Sequence, residues 1–114
     1  MMQSKITWGC RIAVAAVFAA AVLLSAAAKA DNAAETTYKA KCATCHGPDG
    51  KGETPAGKAM KAGTFATPEV GKMSDDDLAM VITKGKNKMP SFDGKLKKEQ
   101  IEQLVVYIRE LAKK

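Results

Sequence analysis

Cys42-Ala43-Thr44-Cys45-His46 concentrates the chemistry of this chain in five residues. Residues three apart lie on one face of a helix, so Cys42 and Cys45 can present both sulfurs to one edge of a flat macrocycle. His46 follows at once, and its imidazole can reach a metal at the centre of that macrocycle. Two thioethers and one nitrogen ligand within a single turn make the C-x-x-C-H arrangement that attaches a c-type haem covalently. Three other chemistries use parts of the pattern. A structural zinc site needs four nitrogen or sulfur ligands, and beyond Cys10 the chain has no further cysteine or histidine to close the set. A thioredoxin-like dithiol needs a βαβ setting, which the surrounding sequence does not supply. A Cys42–Cys45 disulfide would close a very small loop and stabilise little. Covalent haem attachment is the reading the residues favour.

The single histidine restricts the second axial position. Bis-histidine ligation within one chain is excluded, because His46 is the only histidine. The sixth ligand is then a methionine, a lysine, a small molecule or nothing; a methionine thioether is a soft ligand that suits reduced metal, and Met/His ligation raises a haem potential. Beyond the first thirty residues the candidates are Met60, Met73, Met80 and Met89. Met60 lies in a Gly/Lys/Ala-rich stretch, Met73 precedes a helix cap, and Met80 falls inside a helix, where a core methionine is expected. Met89 stands in Lys86-Asn87-Lys88-Met89-Pro90-Ser91-Phe92, between two helical patterns. Pro90 biases Met89 towards extended backbone and blocks helix through it. A loop residue so constrained can project across a haem face opposite His46. The alternative reading of Met89 is a buried loop methionine.

The elements around these residues read as helices joined by glycine-rich loops. Asn32 followed by Glu35 predicts a capped helix start, and Ala34, Tyr38, Cys42 and Cys45 then share one face. Gly47-Pro48-Asp49-Gly50-Lys51-Gly52 predicts a stop and a turn. Residues 53–72 read as loop, with one short helix near Ala59. A carbonyl from this loop, Pro55 being the expected one, would accept the second ring N–H of His46, as partners of ligating histidines do. Ser74 predicts an N-cap, with Asp75, Asp76 and Asp77 at the positive end of the next helix, where capping explains the acid run better than a metal site. Leu78, Val81 and Ile82 form its buried stripe, and Gly85 ends it. Ile101, Leu104, Val105, Ile108 and Leu111 predict a final helix starting near Lys97, a poor cap.

Residues 1–30 read as a cleavable signal peptide. Lys5 and Arg11 make a positive start, Ile12 to Leu24 is an uninterrupted apolar run, and Ala28-Lys29-Ala30 is an A-x-A cleavage site. The competing reading is an uncleaved anchor, but the run is short of the ~20 residues that span a bilayer. Cys10 precedes the apolar run and leaves with the leader. Residues 31–114 then form one small domain. Loss of Lys5, Arg11 and Lys29 takes the formal charge from +6 to +3. A domain this small buries a limited core and often needs a staple; a covalent porphyrin supplies one, so the apoprotein is expected to fold poorly. Export also fits the motif, since covalent attachment of this kind belongs outside the bacterial cytoplasm. The expected location is the periplasm, with no stable membrane insertion after cleavage. The modest charge, few aromatics and compartment exclude nucleic acid as a partner.

With these residues in view, the chain resembles the small bacterial class I cytochromes c. The resemblance rests on the aromatic-bearing first helix, Cys42-Ala-Thr-Cys-His46-Gly47, Asp49-Gly50-x-Gly52, Met73-Ser74-Asp75-Asp76-Asp77-Leu78, Gly85 before Met89-Pro90-x-Phe92, Gly94-x-Leu96, and Val106-Tyr107-Ile108. It implies an all-α fold, three to four helices around one covalently bound haem, with His46 and Met89 as axial ligands. It also implies that the first and last helices cross at a glycine and aromatics; Tyr38 and Tyr107 match, while Ala34 stands where the glycine is usual. The implied function is single-electron transfer between redox proteins, by a carrier and not an enzyme. Lys84, Lys86, Lys88 and Lys95, near the Met89 loop, would steer it onto acidic partners. The rivals are a peroxidase-like haem enzyme with an open sixth position and a dedicated cytochrome subunit of a larger oxidoreductase.

Overall fold

The computed structural model describes residues 29–114. The chain divides into two compact units, Met1–Ala30 and Asp31–Lys114; the signal-peptide expectation falls almost wholly on residues outside those described. Helix α1 occupies residues 29–41. Asn32 therefore lies inside it and does not cap its start. The alanine-rich sequence before Asn32 contains nothing that breaks a helix, and the Thr36 and Thr37 hydroxyls donate to the carbonyls of Asn32 and Ala33, 2.9 Å each. After a turn at Cys42 the chain resumes helix as α2, Ala43–His46.

Residues 53–72 hold two short helices rather than one: α3, Pro55–Met60, and α4, Pro68–Lys72. Each begins with the same Thr-Pro pair. Thr54 accepts from the Gly57 N–H and Thr67 from the Val70 N–H, and each proline takes the first helical position, where its missing N–H leaves no bond unmade. The second helix, α4, falls where the sequence predicts loop, because Pro68 starts a helix instead of breaking one.

Helix α5, Asp75–Lys84, opens on a reciprocal cap. Ser74 Oγ accepts from Asp77 N at 3.0 Å, and Asp77 Oδ2 accepts from Ser74 N at 3.3 Å. Helix α6, Lys98–Ala112, starts at Lys97, which supplies no side-chain acceptor; Gln100 Oε1 instead accepts from Lys97 N at 2.9 Å. Among the described residues there is no strand. The one bridge is Lys86 with Met89, inside a turn.

The core lies between α1, α5 and α6. Tyr38, Leu78, Ile82, Ile101, Leu104, Val105, Ile108 and Leu111 form a single buried cluster. At about 1.5–3 kcal/mol for each large side chain removed from water, this cluster is the main cohesive force of a small domain. Val81 is only partly covered. Met80 is 51% exposed, which corrects the expectation of a core methionine. It lies two residues from both Leu78 and Ile82, about 200° round a helix of 3.6 residues per turn, so it points away from the stripe they form. The aromatic crossing appears as expected: the rings of Tyr38 and Tyr107 are 5.1 Å apart and tilted by 53°. Ala34 is buried, its methyl accommodated at 4% exposure. Arg109 adds a clip, donating to Asp75 Oδ1 at 2.6 Å and to the Met73 carbonyl at 2.7 Å.

Candidate haem site

The end of α1 delivers the cysteine pair. Cys42 N donates to Tyr38 O at 2.8 Å, and His46 N to Cys42 O at 2.9 Å, so the motif is wound as helical turns. Both cysteines are free thiols and partly buried; no disulfide joins them. Burial, then the charge of Cys45, pushes the Cys42 thiol up to about 11. Burial pushes the His46 imidazole below its ordinary value, which favours the neutral ring. Neutral imidazole is the form that ligates a metal.

Several contacts that the sequence did not disclose hold this turn. The Tyr38 hydroxyl, fully buried, donates to Gly47 O at 2.6 Å, immediately after His46. Thr54 Oγ1 donates to Thr44 O at 2.6 Å and also approaches Cys45 O at 3.2 Å, while accepting from Gly57 N at 3.0 Å. One side chain therefore caps α3 and ties it to the motif. Gly57 lies so close to the Cys45 carbonyl that no Cβ could be fitted between them. Gly52 N donates to His46 O at 2.8 Å. The Phe65 ring stacks on His46, centroids 4.7 Å apart. Apart from the Thr54–Gly57 cap, these contacts join residues six to nineteen positions apart, beyond the reach of helix periodicity. The Thr-Pro pair at Thr54 was the one local signal that could have shown the anchor.

Pro55 does not supply the expected hydrogen bond. His46 Nδ1 is buried and has no partner. Pro55 is the first residue of α3, so its carbonyl points along that helix and into its ladder.

Met89 reaches the same cluster from the other side of the sequence. It is partly buried and, like Cys42, packs against the core residues. Its backbone is paired at both ends with Lys86: Met89 N donates to Lys86 O at 2.9 Å, and Lys86 N to Met89 O at 3.2 Å. Asn87, at φ +53°, makes the tight turn between them. Met60 and Met80 are 46% and 51% exposed. Met73 is partly buried at the junction of α4 and α5, its carbonyl taken by Arg109. Two free thiols and a neutral imidazole with an unspent buried nitrogen fit a covalently attached haem, and the apolar residues Met89, Phe92, Leu96 and Phe65 beside the core suit its ring.

Comparisons with known proteins agree with this chemistry. The family model for cytochrome C oxidase, cbb3-type, subunit III matches residues 29–108. The cytochrome c6 of Nostoc sp. is 38% identical over 71 residues, 62% of this chain and 61% of that relative. The cytochrome c6 of Thermostichus vulcanus is 32% identical over 113 residues, 99% of this chain and 96% of that relative. The solved structure of KustC0563 c-type cytochrome superposes with a TM-score of 0.62 at 34% identity, covering 68% of this chain and 94% of that one. The chain belongs to the cytochrome c family, as a small class I member with an all-α fold. It is a monohaem c-type cytochrome that carries electrons, with haem c covalently attached.

Proposed function

We propose that this chain is an exported carrier whose haem is bound through thioethers at Cys42 and Cys45 and ligated by His46 and Met89. The observation that supports it most is the convergence of Cys42 and Met89, 47 positions apart, on one apolar cluster. When bound, the haem supplies a one-electron iron couple. The protein's part is to hold the ligands still. Tyr38 and Thr54 fix the backbone on either side of His46, and the Lys86–Met89 turn fixes the main chain of Met89. Burial keeps the His46 ring neutral. The soft Met89 sulfur favours the ferrous state. With His46 and Met89 both serving as ligands, no open position on the iron would be left for a substrate, and the reading is a carrier and not an enzyme.

Lys84, Lys86, Lys88 and Lys95 are all exposed around the Met89 turn, which supports docking on acidic redox partners through this face. The apolar run followed by Ala28-Lys29-Ala30 supports cleavage of the leader after Ala30 and residence in the periplasm. Among the described residues no helix is long and apolar enough to cross a membrane.

The test is Met89→Ala. The haem should stay attached while the sulfur-to-iron charge-transfer band at the red end of the oxidised spectrum disappears and carbon monoxide binds the reduced protein. Met60→Ala and Met80→Ala should keep the band. A band that survives Met89→Ala and vanishes in one of the others would reassign the ligand.

A further inference from the structure

The turn that carries Met89 has one anchor whose chemistry is peculiar to its side chain. Helix α5 ends with free carbonyls, as every helix does. Three groups from the Met89 segment occupy them. Ser91 Oγ donates to Thr83 O at 2.6 Å. Asp93 N donates to the same carbonyl at 3.0 Å, and Phe92 N to Ile82 O at 3.2 Å. Pro90 has no N–H to offer. Between Met89 and Phe92, therefore, the Ser91 hydroxyl is the tether from this segment to α5. The approach is close: a Cβ placed on Gly85 would lie 2.6 Å from Met89 O, 2.9 Å from Pro90 C and 2.9 Å from Ser91 N. The main chain of Met89 thus rests on the end of α5 with no room for a methyl group, and Ser91 holds it there.

We propose that Ser91 is a positioning residue for the sixth ligand: its hydroxyl, bonded to the Thr83 carbonyl, limits how readily Met89 leaves the iron. This rests on the reading of Met89 as that ligand. Ser91 is exposed, so the bond is shared with water and its loss should barely alter the fold. Its effect falls on the two residues next to the sulfur donor. A solvent-facing hydrogen bond of ordinary strength corresponds to about a twofold to tenfold change in an opening equilibrium.

The experiment uses the haem-loaded, oxidised protein and imidazole as the displacing ligand. Stopped-flow loss of the sulfur-to-iron band gives the rate at which Met89 is replaced. Ser91→Ala should keep the band without imidazole and accelerate displacement about twofold to tenfold. Ser91→Thr, which retains the hydroxyl, should return the rate to that of the parent. Ser74→Ala removes the cap at the far end of α5; it should lower the melting temperature and leave the rate unchanged. A parental rate in Ser91→Ala, or equal acceleration by Ser74→Ala, overturns the role of Ser91. Met89→Ala, measured alongside, separates the two ideas. Loss of the band there with no effect of Ser91→Ala sinks only the tether, whereas a band that survives Met89→Ala sinks the ligand reading and the tether with it.

Discussion

Gly85→Ala tests whether close contact between α5 and the Met89 turn sets the ligand. Two separate penalties arise. Gly85 sits at φ +75° and ψ +171°, backbone that essentially only glycine adopts, and a side chain there costs about 1–3 kcal/mol. The new methyl also overlaps three backbone atoms, the nearest 2.6 Å away; none is the end of a flexible side chain that could swing aside. Forcing an extra methylene into such a contact costs about 1–3 kcal/mol. Together these approach a good part of the roughly 4–13 kcal/mol expected for a folded unit of this size. The buried α5–α6 core is not touched, and the turn is held by a few hydrogen bonds worth about 1 kcal/mol each. Displacement of the turn is therefore the cheaper relief. The protein should stay folded with its haem attached, lose most of the sulfur-to-iron band, and bind carbon monoxide when reduced. Gly94→Ala is the control, since Gly94 also has positive φ, +72°, and open space around its Cβ position. It should carry the backbone penalty alone and keep the band. The melting temperature should fall further in Gly85→Ala than in Gly94→Ala, by about 4–8 °C for each kcal/mol of overlap. Equal melting temperatures with an intact band in both variants would refute the steric reasoning.

Three further outcomes are expected. The Cys42→Ala, Cys45→Ala double variant should show no haem-stained band on a denaturing gel, and retained stain would defeat thioether attachment at these positions. Tyr38→Phe removes the 2.6 Å donor of the buried Gly47 carbonyl, which keeps the Gly50 N–H at 3.2 Å, and should cost about 0.5–1.5 kcal/mol in denaturant titrations; no loss would show that the bond does not hold the turn. Burial sets the His46 imidazole below its ordinary 6.5, and iron ligation favours the neutral ring in the same sense. As pH falls the unfolded chain takes up that proton first, so stability should be level above 6.5 and decline below it. Guanidinium titrations near pH 8 and near pH 5 measure this, and greater stability at the acid end would contradict it.

The haem motif, α5 and α6 were legible because their codes are local. C-x-x-C-H specifies its chemistry in five residues, Ser74 with Asp77 writes a cap in four, and Ile101 to Leu111 repeat at helical spacing. The start of α1 was misread because Asn32 and Glu35 match a capping pattern that the helix-permissive residues before them override. Helix α4 was missed because a proline ends most helical patterns yet begins this one after Thr67. Met80 was judged by its membership of a helix and not by its phase against Leu78 and Ile82. The hydroxyls of Tyr38, Thr54 and Ser91 were invisible as anchors, since each bonds a carbonyl eight to ten residues away, a distance fixed by how the loops close. The acceptor expected for His46 failed on the same ground: which way the Pro55 carbonyl points depends on α3 beginning there.

The most direct measurement is a spectroelectrochemical titration of the exported protein. The expected result is one reversible one-electron transition per chain, with a low-spin haem in both states and the sulfur-to-iron band present only when oxidised. A high-spin oxidised spectrum without that band, together with rapid binding of carbon monoxide by the unaltered reduced protein, would contradict a His46/Met89-ligated carrier.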